Sequence, residues 1–279
     1  VMRRCAELGV GLPVGPSPHE VVPIVPSAII FDLGRGGEFG NHPTAEFGYQ
    51  ATAVASRRPV RPGSVGAGTG AVTCGLKGGV GNACRTLPDG TTIAALAVVN
   101  AAGSLVNPES GLPWLAAHGA AALGLRRPDR EDRRRLRDIV GPRLAQYALG
   151  LPPVDAPSLN TTIGVVATSA SLTKAECTKL AQVAQDGLAR AANPSHLLVD
   201  GDTVFALATG TGPTTAPPPV HGGSTTLAGP GTRAAVLNQL LAVGAEVFAT
   251  ACLDALLNAR GSGAFPSYRE VCPSAFAAG

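Results

Sequence analysis

Residues 158–176, SLNTTIGVVATSASLTKAE, decide how the chain is organised. The stretch 161–168, TTIGVVAT, is apolar after its two hydroxyl residues and reads as a buried strand. Thr173 and Glu176 stand at the spacing of a capping box, which predicts a helix N-terminus. Beyond them Cys177, Leu180, Ala181, Ala184 and Leu188 fall on one helical face, and Asn193-Pro194 ends the helix. Residues 196–209, HLLVDGDTVFALAT, read as a hairpin turning at Asp200-Gly201-Asp202. Strands mixed with a helix in this order predict a layered α/β protein.

Working outward, residues 91–103, TTIAALAVVNAAG, read as a strand running into a turn at Asn100. Residues 21–33, VVPIVPSAIIFDL, read as a Pro-interrupted edge segment followed by a buried strand. Between them lies a glycine-rich stretch, 64–85. Residues 104–159 carry Pro-flanked turns and a charge run from Arg126 to Arg143. Acids at 129, 131, 132 and 138 are interleaved with its arginines, so a solvated helix or surface segment is expected. After a Gly/Pro/Thr-rich loop over 210–231, a long helix is expected from about Thr232 to Ala259, closed by Gly261. It is apolar around a wide arc, which fits burial on several sides, in the core or between subunits.

The composition narrows the functional classes. Hydrophobic residues make up 45 % of the 279 and charged residues only 15 %, the opposite of a disordered chain. A net charge of +3, lysine only at 77, 174 and 179, and 4 % aromatics give a nucleic-acid partner no footing. No long apolar run escapes Gly, Pro and polar breaks, so no membrane span is expected. The start, Val1-Met2-Arg3-Arg4, does not read as a signal peptide, so a cytoplasmic protein is expected, one lacking upstream residues. The six cysteines form no CxxC or Cys/His cluster; free buried thiols are expected, and neither a metal nor a cofactor.

Three motifs carry chemistry. Gly66-Ala67-Gly68-Thr69-Gly70-Ala71 formally fits a dinucleotide fingerprint, but no strand precedes it and further glycines forbid the helix that should follow. A loop whose backbone N–H groups, around Gly68, Thr69 and Gly70, face a ligand or oxyanion is the alternative to plain turns. Asp200-Gly201-Asp202-Thr203 literally matches a phosphatase D-x-D motif, but no lysine follows it, and an Asp-Gly turn accounts for it as well. Asn160-Thr161-Thr162 at the mouth of an apolar strand reads, as bare sequence, as a turn.

Taken together, IVPSAIIFDL (24–33), GSVGAGTGAVTCGLKGGVGNA (63–83), LAVVNAAG (96–103), SLNTTIGVVATSASLTKAE and HLLVDGDTVFALATG (196–210) resemble the DmpA-type aminopeptidases of peptidase family S58 and the related nylon-oligomer hydrolases. The resemblance runs along almost the whole chain without the family's N-terminal strands. It implies a four-layer α/β/β/α sandwich, one domain over 1–279, cut by itself into an α chain, 1–160, and a β chain, 161–279. Cleavage between Asn160 and Thr161 makes Thr161 an N-terminal nucleophile. Asn100 matches the family's catalytic Asn, whose side chain donates to an oxyanion. Asp200 and Asp202 match two acidic positions of the nylon-oligomer branch, and Lys77 corresponds to its catalytic Lys. A small peptide or amide substrate and a homotetramer of processed units are likewise implied.

The residue types suit that chemistry. A Thr hydroxyl needs an adjacent base to act as a nucleophile. A newly exposed α-amine, with a pKa of about 7.7–8.0, is such a base near neutral pH. Two other readings stay open: an acyltransferase like ornithine acetyltransferase, which shares the Thr nucleophile, and an unprocessed binding protein of the same fold.

Overall fold

Buried and half-exposed residues alternate along residues 92–97 and 163–168, as they do where a sheet packs one face on a core. The computed structural model describes residues 1–35, 37–116, 120–151, 159–212 and 232–276. They form two compact units, Val1–Ile29 with Leu33–Val60, and Ile30–Asp32 with Arg61–Gly279.

The first unit holds α1 (Met2–Glu7), the two-stranded ladder of β1 (Leu12–Pro13) and β2 (Val21–Val22), and α2 (Ala45–Ala53). Neither helix buries a residue; Tyr49 ties them by donating to Glu7 at 2.8 Å and lying under the Arg3 guanidinium. The strand expected after Pro26 does not form: residues 23–33 are irregular and Ile29 is 86 % exposed. Apolar content alone makes no strand; Pro23 and Pro26 cannot donate, and no described neighbour offers these residues a ladder.

The second unit is built on one mixed sheet. Its elements are a short ladder of β3 (Val72–Thr73) and β4 (Leu76–Lys77), then β5 (Gly79–Thr86), β6 (Thr92–Val99), α3 (Arg130–Leu149), β7 (Ile163–Thr168), α4 (Lys174–Ala191), β8 (Thr203–Ala208), α5 (Arg233–Asn258) and α6 (Tyr268–Val271). The four-stranded sheet runs β5-β6-β7-β8, antiparallel except for the parallel pair β7 and β8. The expected hairpin over 196–209 is therefore absent. Residues 197–199 form no strand, Leu198 is fully exposed, and β8 finds its partner in β7 instead. The intervening α4 supplies the crossover that a parallel pair requires.

The expected helices are present. Thr173 and Glu176 make the capping box of α4, and Thr232 caps α5. The charge run forms α3, capped by Asp129 and ended by Gly150 in the left-handed conformation. The loop expected over 210–231 lies outside the described residues from 213 onward, as do Pro152, Pro153 and Pro157.

α4 and α5 cover one face of the sheet. They approach closely at Gly187, where a Cβ would stand 2.3 Å from the Ala245 carbonyl oxygen. Gly164 on β7 leaves room for the Phe248 ring. By length and composition α5 could cross a membrane, but Leu240, Val247, Phe248, Ala251 and Leu256 are buried in this core. Its wide apolar arc is thus largely used within the chain. On the other face Leu96, Val165 and Phe205 form a half-buried row across three strands. The layered α/β class expected from the sequence is the class observed.

Register places the site. Gly79 faces Val99, Val98 faces Ile163, and Ile163 faces Thr203. One end of the sheet therefore gathers the residues before β5, after β6, before β7 and before β8.

Candidate active site

Those four chain segments hold Lys77, Asn100, Thr161, Asp200 and Asp202. Four regions scattered along the sequence become neighbours because strand directions alternate and the last pair is parallel.

Thr161 is half-buried, and Asn160 before it is buried. The Thr161 hydroxyl donates to the Asn160 carbonyl oxygen at 2.6 Å, across the peptide bond that joins them. The Thr161 N–H donates to the Asn100 carbonyl at 2.8 Å. Asn160 is held in turn, donating to the Val199 carbonyl at 2.9 Å, while its own carbonyl accepts from the Gly201 N–H at 2.8 Å. These bonds continue the pairing of β7 with β8 beyond the strands, through a parallel bridge of Asn160 with Asp200.

Asn100 is fully buried and links two sides of the site. Its main chain receives Thr161, while its side-chain oxygen accepts from Val72 at 3.0 Å and its amide donates to the Phe31 carbonyl at 3.2 Å. The side-chain amide is thus turned toward Phe31. Lys77, also buried, donates from Nζ to the Thr69 carbonyl at 2.6 Å. That contact brings Lys77 together with the expected Gly68-Thr69-Gly70 loop, and β3, next to that loop, carries the Val72 amide to Asn100. The glycines here serve close approach: a Cβ on Gly78 would stand 2.0 Å from the Val99 carbonyl oxygen, and one on Gly68 2.6 Å from the Val80 nitrogen.

The two acids brace the loop ahead of β8. Asp200 accepts from the Ala102 N–H and the Leu197 N–H, each at 3.0 Å. Burial lifts its carboxyl above the usual range and the neighbouring Asp202 charge adds to this, against those backbone donations. Asp202 accepts from the Thr162 N–H at 2.7 Å, and the imidazole Nδ1 of His196 lies 2.8 Å from its other oxygen. His196, at φ 56°, rests its Nε2 3.4 Å from the Gln185 carbonyl on α4. Sequence reasoning missed both His196 and Gly201; the one sign of them was their place around the two acids.

A thiol mechanism is disfavoured at the buried cysteines. Burial pushes the Cys74 and Cys272 thiols up to about 12 and raises that of Cys252 as well, so none is a thiolate at neutral pH. Among the described residues all six cysteines are free, and Cys84 departs from expectation by being exposed.

The family model "Peptidase family S58" matches residues 4–266, and the chain belongs to that family. It is 45 % identical over 256 residues to an uncharacterized aminopeptidase of Mycobacterium tuberculosis, covering 92 % of this chain and 69 % of that one. A counterpart in Mycobacterium leprae is 42 % identical over 263 residues, covering 92 % and 67 %. Among solved structures, a β-aminopeptidase of a Burkholderia species is 26 % identical with a TM-score of 0.47, covering 79 % of this chain and 53 % of that one. The L-aminopeptidase D-Ala-esterase/amidase of Ochrobactrum anthropi is 22 % identical with a TM-score of 0.49, covering 80 % and 51 %. The chain thus spans about half the length of these two solved proteins.

Proposed function

We propose that this chain is an amide-bond hydrolase of the aminopeptidase type that activates itself by cutting between Asn160 and Thr161. The observation that carries the reading is the Thr161 hydroxyl resting 2.6 Å from the Asn160 carbonyl oxygen. Attack by that oxygen on the Asn160 carbonyl carbon forms an ester while the Thr161 nitrogen takes up the proton and leaves. Water then hydrolyses the ester, giving an Asn160 carboxylate and a free Thr161 α-amine. The Asn100 carbonyl, which holds the Thr161 N–H at 2.8 Å before the cut, continues to orient the amine afterwards. The amine then serves as general base for its own hydroxyl. Asp200 and Asp202 act as positioning residues: Asp200 accepts from the Ala102 and Leu197 amides, and Asp202 from the Thr162 amide next to Thr161 while its other oxygen meets His196.

Small peptides and amides with a free amine are the proposed substrates, and a homo-oligomer of processed units the proposed assembly. For α5 the chain's own core already accounts for most of the apolar arc, so the oligomer rests on the family resemblance; light scattering near 28 kDa at micromolar concentration rejects it.

Intact-mass measurement tests the central step. The expected result is two fragments, 1–160 and 161–279, with Thr161→Ala remaining one chain. Cleavage at this bond in the Ala variant ends the mechanism. A panel of aminoacyl amides, β-alanyl peptides and linear amide oligomers then identifies the substrate.

A further inference from the structure

We infer that the backbone N–H of Gly201 is the oxyanion donor of the self-cleavage step. The inference rests on the processing reading above and assigns that reaction a catalytic group lying outside the residues already proposed.

The reacting carbonyl is that of Asn160. Its oxygen accepts from two groups, the Thr161 hydroxyl at 2.6 Å and the Gly201 N–H at 2.8 Å. When Thr161 Oγ adds to the carbonyl carbon, a C–O bond forms and the π electrons move onto that oxygen. The hydroxyl proton passes to the Thr161 nitrogen, the C–N bond breaks, and the ester carbonyl reforms. Through the addition the oxygen carries negative charge, and the Gly201 N–H is the backbone donor already aimed at it. A fixed donor toward developing charge strengthens most in the transition state, since no reorganisation is required.

Three features hold the donor still. The Asp200 carboxylate spans Ala102 and Leu197, each at 3.0 Å, and clamps the loop from within. The Gly201 carbonyl accepts from the Thr203 hydroxyl at 3.0 Å. The Thr203 N–H donates to the Thr162 carbonyl at 2.9 Å, fixing the same ladder one step further on. The residue type also fits the role. A Cβ on residue 201 would stand 3.0 Å from Thr161 Oγ, so a side chain there presses on the attacking atom. Gly201 has no left-handed φ that would otherwise require glycine.

The test replaces Gly201 by glycolic acid through semisynthesis, which exchanges the N–H for an ester oxygen and adds no bulk. The expected result is cleavage slowed about 10²–10³-fold, with wild-type circular dichroism. A folded glycolate chain that cleaves at the wild-type rate overturns the inference and leaves the processing reading standing. A wild-type chain that stays uncut overturns both. A second measurement does not depend on the folding of the glycolate chain: a scalar coupling across the hydrogen bond between the Gly201 nitrogen and the Asn160 carbonyl carbon in Thr161→Ala protein. Its presence supports the assignment and its absence overturns it.

Discussion

Thr161 is held by its neighbours' main chain more than by their side chains, and substitutions around it act by disturbing that backbone. Asp202 shows the consequence. Its carboxylate satisfies the Thr162 N–H at 2.7 Å and meets His196 at 2.8 Å. Asp202→Ala strands a buried amide, which costs about 1–3 kcal/mol, and frees the residue after Thr161. We expect cleavage at least tenfold slower, followed on denaturing gels, together with a lower midpoint of denaturant unfolding. Asp202→Asn keeps an acceptor oxygen for Thr162 and should stay within a few-fold of wild type. Equal effects of the two substitutions would show that charge, not the hydrogen bond, matters. This scale also marks where the sequence stops being readable. Thr161, Asn100 and the two acids read as turns in the bare sequence and stand out only through the resemblance to family S58. The Gly201 donor is a backbone group that every residue but proline carries, so no letter signals it.

At the scale of elements, local patterns were legible and distant pairings were not. The capping box at Thr173 and Glu176 depends on residues a few positions apart and stands as read, and the strand expected before Asn100 ends at Val99. The hairpin over 196–209 and the strand after Pro26 failed for one reason: a strand is defined by its partner, and the partner of β8 lies across a whole helix. Glu176 does more than cap. The Arg233 guanidinium at the start of α5 lies 2.6 Å from it and holds its carboxyl down to about 2. A carboxylate lowered from 4.5 stabilises the fold above that pH and loses its contribution as pH falls toward 2. Glu176→Gln should therefore cost up to about 3 kcal/mol at pH 7. The difference from wild type should shrink steadily in melts taken between pH 4.5 and 2.5; a gap independent of pH would refute the pair's role. Where the same two helices cross, Gly187→Ala meets backbone that cannot step aside, and a loss of about 1–3 kcal/mol in chemical denaturation is expected.

For the whole molecule, the bond between Asn160 and Thr161 divides the sheet down its middle. β5 and β6 lie before that bond and β7 and β8 after it, and the β6–β7 ladder joins the two halves from Val98–Ile163 to Ile93–Thr168. α5, from the second half, lies on β5 and β6 of the first. Neither half alone holds the complete core, so the proposed cut would change the molecularity with which the native state forms. With the proposed cut, folding would pass from unimolecular to bimolecular, and stability would then depend on the concentration of the partners. Denatured and diluted, the processed protein should regain structure with a yield that falls as it is diluted, whereas Thr161→Ala should refold equally well at every dilution. The proposed activation would work as a ratchet: the chain would assemble once as a single strand, and what it became afterwards would have no equally easy way back.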